Sequence, residues 1–524
     1  MSQKTYYITT PLYYSNANMH IGHTYCSVAA DTMARYKKAR GYDVKFLTGM
    51  DEHGQKIEKA AAALGKSPQE HVDGIAELTK ELWATMGIDY DIFWRTTDKV
   101  HEKTVMKIFK QLYDQGDIYK GAYEGLYCVT CEAFYTELAV KDGKCPDPNC
   151  GKDVERVKEE AYFFKMSKYQ DRLIKHIEDN PNFIYPESRR NEMLNNFLKQ
   201  GLDDLCVTRT SFKWGIPVDF DPEHVIYVWI DALSNYAVAL GFMGENDTEY
   251  QKYWPADVHL VGKEIVRFHT IIWPALLMAL NAPLPKQVYG HGLLNIDGRK
   301  MGKSLGNAVD PHLLVGRYGV DAVRYFLMRE VVFGQDGNFT NEALVGRINA
   351  DLANDLGNLL SRTVGMVDKY FGGKLPARQL ATDFDASLIE SAAIAAQKAE
   401  EAYDRMQFSD ALNEIWNFVR RANKYIDEVA PWVLFKEEGR QDVLAGCLYN
   451  LAESLRIIAV LIGPVMPNTP VAIHSQLNIT DGNLKTWESA KEFGLLGRDV
   501  VVTKGDIVFP RIDIKKELEE LAGM

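Results

Sequence analysis

Two histidines stand close together in His20-Ile21-Gly22-His23, between what reads as a first strand and a first helix. Alone, such a pair is two surface imidazoles in a loop. Its position suggests more, because ligands gather at the carboxyl end of a strand in an α/β sheet and a helix N-terminus attracts phosphate. Gly22 lets a flat base approach the backbone, and imidazoles can donate hydrogen bonds to a phosphoryl group as its charge shifts. A second group is Gly298-Arg299-Lys300-Met301-Gly302-Lys303-Ser304. It is not a P-loop, since only three residues separate its glycines and Asp297 precedes them. It is either a solvated basic turn or a loop whose lysines clamp pyrophosphate as point charges on long stems. The third group is Cys128-x2-Cys131 with Cys145-x4-Cys150, four of the chain's 7 cysteines. Four thiolates without histidine suit a closed tetrahedral zinc better than four unrelated thiols do. Cys26, Cys206 and Cys447 stand apart and read as packed thiols. The aromatics Tyr14, Trp229, Tyr236 and Phe268 read as core residues by type alone.

These groups need elements to position them. Tyr6 to Thr10 is rich in strand formers, and Pro11 is expected to end it. Ala29, Met33 and Tyr36 recur at helical spacing, with Gly41 as cap, and Val44 to Leu47 gives a second strand. This βαβ unit begins a parallel sheet. The alternation resumes with a strand at Val258 to Val261, a helix from Ile265 to Leu280 and a strand at Gln287 to Tyr289. The expected catalytic domain is therefore 1–115 with 225–297, interrupted by an insertion at 116–224 that holds the clustered cysteines. From 346 to 524 the stripes Leu412, Ile415, Trp416, Val419 and Leu444, Leu448, Leu451, Leu455, Ile458 predict a helical bundle, broken after Gly463-Pro464.

Composition is ordinary, at 46% hydrophobic and 25% charged. No secretory leader or uninterrupted apolar span of membrane length is expected, which suggests a cytoplasmic protein with reduced thiols. A net charge of −12 argues weakly against nucleic acid, yet leaves room for a local basic footprint.

Taken together the motifs resemble class I aminoacyl-tRNA synthetases: HIGH at 20–23 and, for KMSKS, KMGKS at 300–304, with Gly302 in place of the first serine. TPLYYSNANMHIGH (10–23), TGMDEHGQKI (48–57), VWIDALSNY (228–236), VGKEIVRFHTIIWPALL (261–277), NDLGNLLSR (354–362) and EVAPWVLFK (428–436) are similar to methionyl-tRNA synthetases of the bacterial type with one four-cysteine knuckle. The resemblance implies a Rossmann-like catalytic domain, a zinc-binding connective insertion, a loop and stem-contact region at 298–345, and an all-α anticodon-binding bundle. It implies a methionine pocket of Leu12, Tyr14, Asp51, Trp229, Ala232, Leu233, Tyr236, Ile265, Phe268 and His269. Asp51 would hold the ammonium, while Tyr236 and His269 could offer hydrogen bonds to sulfur, a weak acceptor.

His20, Gly22, His23, Lys300, Lys303 and Ser304 are implied to bind ATP, with both histidines and both lysines acting in catalysis. The metal ligands are Cys128, Cys131, Cys145 and Cys150, and the anticodon readers Asn354, Asn358, Arg362 and Trp432. The implied reaction forms methionyl-adenylate and pyrophosphate from methionine and ATP with magnesium, then loads initiator and elongator methionine tRNA. Zinc is structural, one per chain, no membrane is involved, and a monomer is expected as the chain stands. The rival readings are a class I synthetase of another specificity, a non-catalytic tRNA-binding paralogue and a nucleotidylyltransferase. The intact histidines and lysines argue against the binder, and the helical bundle against the last.

Overall fold

The computed structural model describes residues 3–129, 133–135, 140–147, 150–296, 298–300, 309–377 and 379–522. Six strands build the main sheet: β1 (Thr5–Tyr14), β2 (Asp43–Asp51), β3 (Ile92–Arg95), β4 (Ile184–Tyr185), β5 (Val258–Gly262) and β6 (Val288–His291). They lie in the order β3-β2-β1-β5-β6-β4, and every neighbouring pair is parallel. The order reverses between β1 and β5. In an open α/β sheet that switch point, at the carboxyl ends of the strands, is where a ligand crevice opens.

Alternation along the strands divides the interior. Tyr6 and Ile8 of β1, Val44 and Phe46 of β2 and Leu260 of β5 pack with the first helix, Ile21–Ala39. Tyr7, Leu47 and Val261 pack on the opposite face with the helix Val228–Val238. Pro11 does not end β1. The strand runs on to Tyr14, and its register against β2 shifts between Thr9 and Leu12, where proline has no N–H to give the ladder.

Within 116–224, Ile118–Cys128 pairs antiparallel with Glu155–Phe164, and Ala133–Tyr135 and Leu205–Cys206 extend that sheet. Thr208–Arg209, Pro217–Val218 and Asp221–Ile226 form a three-stranded sheet leading into Val228–Val238. The same segment also returns to the main sheet, because β4 pairs with β6. Two residues of pairing carry no periodicity, so this strand has no signature in the sequence.

After β6, Leu294–Ile296 forms a hairpin with Arg299–Lys300 and pairs in parallel with Gly337–Phe339. The C-terminal bundle rests on Asp385–Asp404, Phe408–Val429 and Gln441–Ile462. Leu412, Ile415, Trp416, Leu448 and Leu455 are fully enclosed, as their stripes require. Gln441–Ile462 is long and apolar enough to span a membrane, but 94% of its apolar window is buried inside the protein. Tyr36 of the first helix stacks on Tyr403 at 5.0 Å, joining the bundle to the core on that side of the sheet.

Candidate active site at the switch point of the sheet

The first helix begins on its two histidines. His20 is the N-cap, and its Nδ1 accepts the N–H of Gly22 at 3.1 Å. The Nδ1 of His23 accepts the N–H of His20, also at 3.1 Å. The two side chains thus reciprocally cap the helix, a job usually given to serine and glutamate. Because both Nδ1 atoms accept, each neutral ring carries its proton on Nε2. Two Nε2–H donors, on rings 3.9 Å apart, therefore sit at the positive end of a 19-residue helix.

Beside this terminus lies a cavity of about 260 Å³ lined by Pro11, Leu12, Tyr14, Asp51, Lys56, Trp229, Ala232, Leu233, Tyr236, Ile265 and His269. Each wall follows from the fold. Pro11 to Tyr14 close β1, and Asp51 closes β2 directly opposite Tyr14. Trp229, Ala232, Leu233 and Tyr236 fall on one face of Val228–Val238 by i, i+3, i+4, i+7 spacing. Ile265 and His269 follow the end of β5.

Nine of the ten residues expected in the methionine pocket line this cavity. Phe268 does not line it but stacks face to face on Trp229 at 3.6 Å, backing that indole. Pro11 and Lys56 are additional. Lys56 Nζ lies 5.5 Å from the Tyr14 ring, and nothing in its type or spacing marked it beforehand.

Asp51 is only 7% exposed, a carboxylate in the wall of a largely apolar cavity. In the same wall Tyr236 Oη lies 2.7 Å from His269 Nε2. Burial pushes the His269 pKa down to about 4, so the imidazole is neutral. Burial likewise raises that of the Tyr236 phenol. The cavity thus combines a carboxylate with uncharged aromatic surface.

The turn after Asp51 is tied down. Arg95 Nε donates to Glu52 at 2.7 Å, Trp214 Nε1 donates to the Glu52 carbonyl at 2.6 Å, and the N–H of Gly54 donates to the Trp214 carbonyl at 3.1 Å. Burial raises the pKa of Glu52, and Thr97 and Arg95 oppose the rise.

Lys300 ends the short strand of the hairpin, paired with Asn295. Lys303 and Ser304 lie outside the described residues, as does Cys131. The thiols of Cys128, Cys145 and Cys150 lie within 4.8 Å of one another, with Cys128 and Cys150 sulfurs 3.6 Å apart. Four sulfurs about 2.3 Å from a tetrahedral zinc stand roughly 3.8 Å apart, so the three thiols fit that ion.

On the bundle, Asn354 and Asn358 are exposed and Arg362 is half-buried, donating to Asp427 at 3.0 Å. Residues 348–357 form a wide π-turn that continues into Asn358–Phe371. Trp432 is 42% exposed, next to Val433 at 45%. It is no core residue. An exposed tryptophan can stack on an unpaired base, and exposed asparagines can bond base edges.

Comparison with known proteins agrees along the whole chain. A family model described as tRNA synthetases class I (M) matches residues 6–159 and 149–364, and one described as anticodon binding domain of methionyl tRNA ligase matches 375–522. The methionine–tRNA ligase of Caldanaerobacter subterraneus subsp. tengcongensis is 63% identical over 519 residues, 99% of this chain and 81% of that protein. That of Clostridium perfringens is 58% identical over 100% of this chain and 80% of its own. Among solved structures, Mycobacterium tuberculosis methionyl-tRNA synthetase in complex with methionyl-adenylate superposes with a TM-score of 0.93 at 41% identity, covering 97% of this chain and 100% of that one. Fold and site define a class I aminoacyl-tRNA synthetase. Within that class, the chain belongs to the methionyl-tRNA synthetase family.

Proposed function

We propose that the cavity at the switch point binds methionine and that the histidine-capped helix beside it binds ATP, so that the chain works as a methionine–tRNA ligase. The observation that carries this is that buried Asp51 and the uncharged pair Tyr236 and His269 line one cavity of about 260 Å³. An α-amino acid places its ammonium on the carboxylate and an unbranched apolar side chain in the slot.

In the first step a methionine carboxylate oxygen bonds to the α-phosphorus of ATP and the bond to the β-phosphate oxygen breaks, releasing pyrophosphate. Little covalent chemistry falls to the protein; position and charge complementarity do most of it. His20 and His23 donate Nε2–H hydrogen bonds to phosphate oxygens, and Gly22 leaves room for the nucleotide. Lys300, Lys303 and Ser304 neutralise the charge of the leaving pyrophosphate, and magnesium bound with ATP would supply further positive charge there. A hydroxyl of the terminal tRNA ribose then attacks the adenylate carbonyl and displaces AMP.

The bundle reads the anticodon of methionine tRNA through Asn354, Asn358, Arg362 and Trp432. Cys128, Cys131, Cys145 and Cys150 hold a structural zinc that fixes the insertion, and a bound zinc supplies no step of the reaction. The division at 116–224, 298–345 and 346–524 follows these roles, and the cytoplasm, where tRNA is charged, completes the reading. It is tested by methionine-dependent ATP–pyrophosphate exchange, in which Asp51→Asn raises the methionine KM sharply. An Asp51→Asn enzyme with wild-type methionine KM would overturn the pocket assignment.

A further inference from the structure

Asp231 lies in the first turn of the pocket helix, fully buried, and none of the steps above uses it. Its neighbours Trp229, Ala232, Leu233 and Tyr236 line the cavity, whereas Asp231 does not. Its carboxylate instead accepts two hydrogen bonds. His53 Nδ1 donates to Oδ2 at 2.7 Å, and His101 Nε2 donates to Oδ1 at 2.7 Å. His101 is held in turn by Trp94, whose indole N–H donates to its Nδ1 at 3.1 Å. An indole N–H can only donate and a carboxylate can only accept, so His101 is fixed as the Nε2–H tautomer.

The partners come from three separate elements. His53 is two residues beyond Asp51, in the turn already pinned by Arg95 and Trp214. His101 belongs to the helix Lys99–Asp114, and Trp94 to β3. The chain of hydrogen bonds therefore runs from the turn carrying the ammonium site, through the helix carrying the apolar wall, to the edge of the sheet. Burial alone would raise the pKa of Asp231, but the charge of His53 and the hydrogen bonds from His101 and His53 hold it at about 2.

Buried ionic groups are a costly way to gain stability, and apolar packing often serves as well. A doubly bonded carboxylate supplies what apolar packing does not, a fixed distance and orientation between two elements. We infer that Asp231 is a positioning residue, which locks the pocket helix to the Asp51 turn so that the ammonium site and the apolar slot fit one amino acid at once. This rests on the reading of the cavity as the methionine pocket.

Asp231→Asn tests it, because asparagine keeps the shape but offers one acceptor and one donor to two imidazole N–H groups. In pyrophosphate exchange the methionine KM rises on the order of tenfold, since a small misplacement of a binding wall costs that much. The ATP KM stays within about twofold, because the histidine-capped helix is held independently. Trp94→Phe, which frees the tautomer of His101, shifts the methionine KM the same way by less. If Asp231→Asn lowers Tm yet leaves both KM values at wild type, or raises both equally, the group is structural only and the inference falls. Should Asp231→Asn fail to fold, Trp94→Phe decides: a raised methionine KM supports the inference, and an unchanged one overturns it. Asp51→Asn is the reference. If it leaves the methionine KM unmoved, the pocket reading falls and takes the inference with it. If it raises that KM while Asp231→Asn does not, the inference alone falls.

Discussion

Tyr236 Oη lies 2.7 Å from His269 Nε2, and Nδ1 of the same imidazole lies 2.9 Å from the carbonyl of Ile265. The carbonyl accepts, so Nδ1 carries the proton, Nε2 accepts, and the phenol must donate to it. The two groups expected to offer hydrogen bonds to a thioether thus spend their donors on the protein. Selection by this pair then rests on shape and dispersion, which separates near isosteres weakly. Tyr236→Phe removes a buried donor and should cost about 1–3 kcal/mol, divided between stability and amino-acid affinity. Methionine and norleucine, which differ by sulfur against methylene, should lose affinity together in pyrophosphate exchange. A loss confined to methionine would mean that the phenol donates to sulfur after all.

The three described thiols make a prediction about metal. The protein should contain one zinc per chain, and Cys150→Ser should lower occupancy and destabilise the insertion, because binding and folding energy are one quantity at a closed site. Metal analysis with thermal unfolding checks this. Metal-free protein with unchanged Tm and activity would contradict it.

Trp432 separates the two halves of the reaction. It is exposed on the bundle, far along the chain from the cavity residues. Trp432→Ala should leave methionine-dependent exchange near wild type. Charging of methionine tRNA should weaken, because loss of one base stack costs about 1–3 kcal/mol. Loss of both activities together would show that the side chain holds the bundle rather than the anticodon.

His474, which does not line the cavity, predicts a pH dependence of stability. Burial, with Lys485 and Arg456 nearby, pushes its pKa down from 6.5 to about 4. A histidine depressed in the folded state takes up its proton on unfolding throughout that window, so it costs stability as pH falls from 6.5 to 4. The Tm of His474→Gln, measured against wild type, should therefore climb steadily relative to it between pH 7 and pH 4. A constant difference would remove His474 from the acid response.

What was legible in the sequence is what local pattern encodes. His20 and His23 could be placed because a strand and a helix bracket them, and the bundle because its stripes persist over whole helices. Pro11 misled because a single bulge lets a proline sit inside a strand. By type alone Trp432 reads as a bundle core residue, and only the family pattern puts it on the surface, where its exposure of 42% places it. The Asp231 assembly was invisible for a different reason. Asp231 lies 178 residues from His53 and 130 from His101, and no spacing rule joins partners so far apart.

The central claim is that this cavity selects methionine for adenylation. Its most direct test is ATP–pyrophosphate exchange with the intact chain, run separately with each of the twenty amino acids. The structure predicts rapid exchange with methionine, weak exchange with other unbranched or similar apolar side chains, and none with charged ones, the methionine signal collapsing in Asp51→Asn. Exchange driven better by leucine or cysteine than by methionine, or methionine exchange that survives Asp51→Asn unchanged, would contradict it.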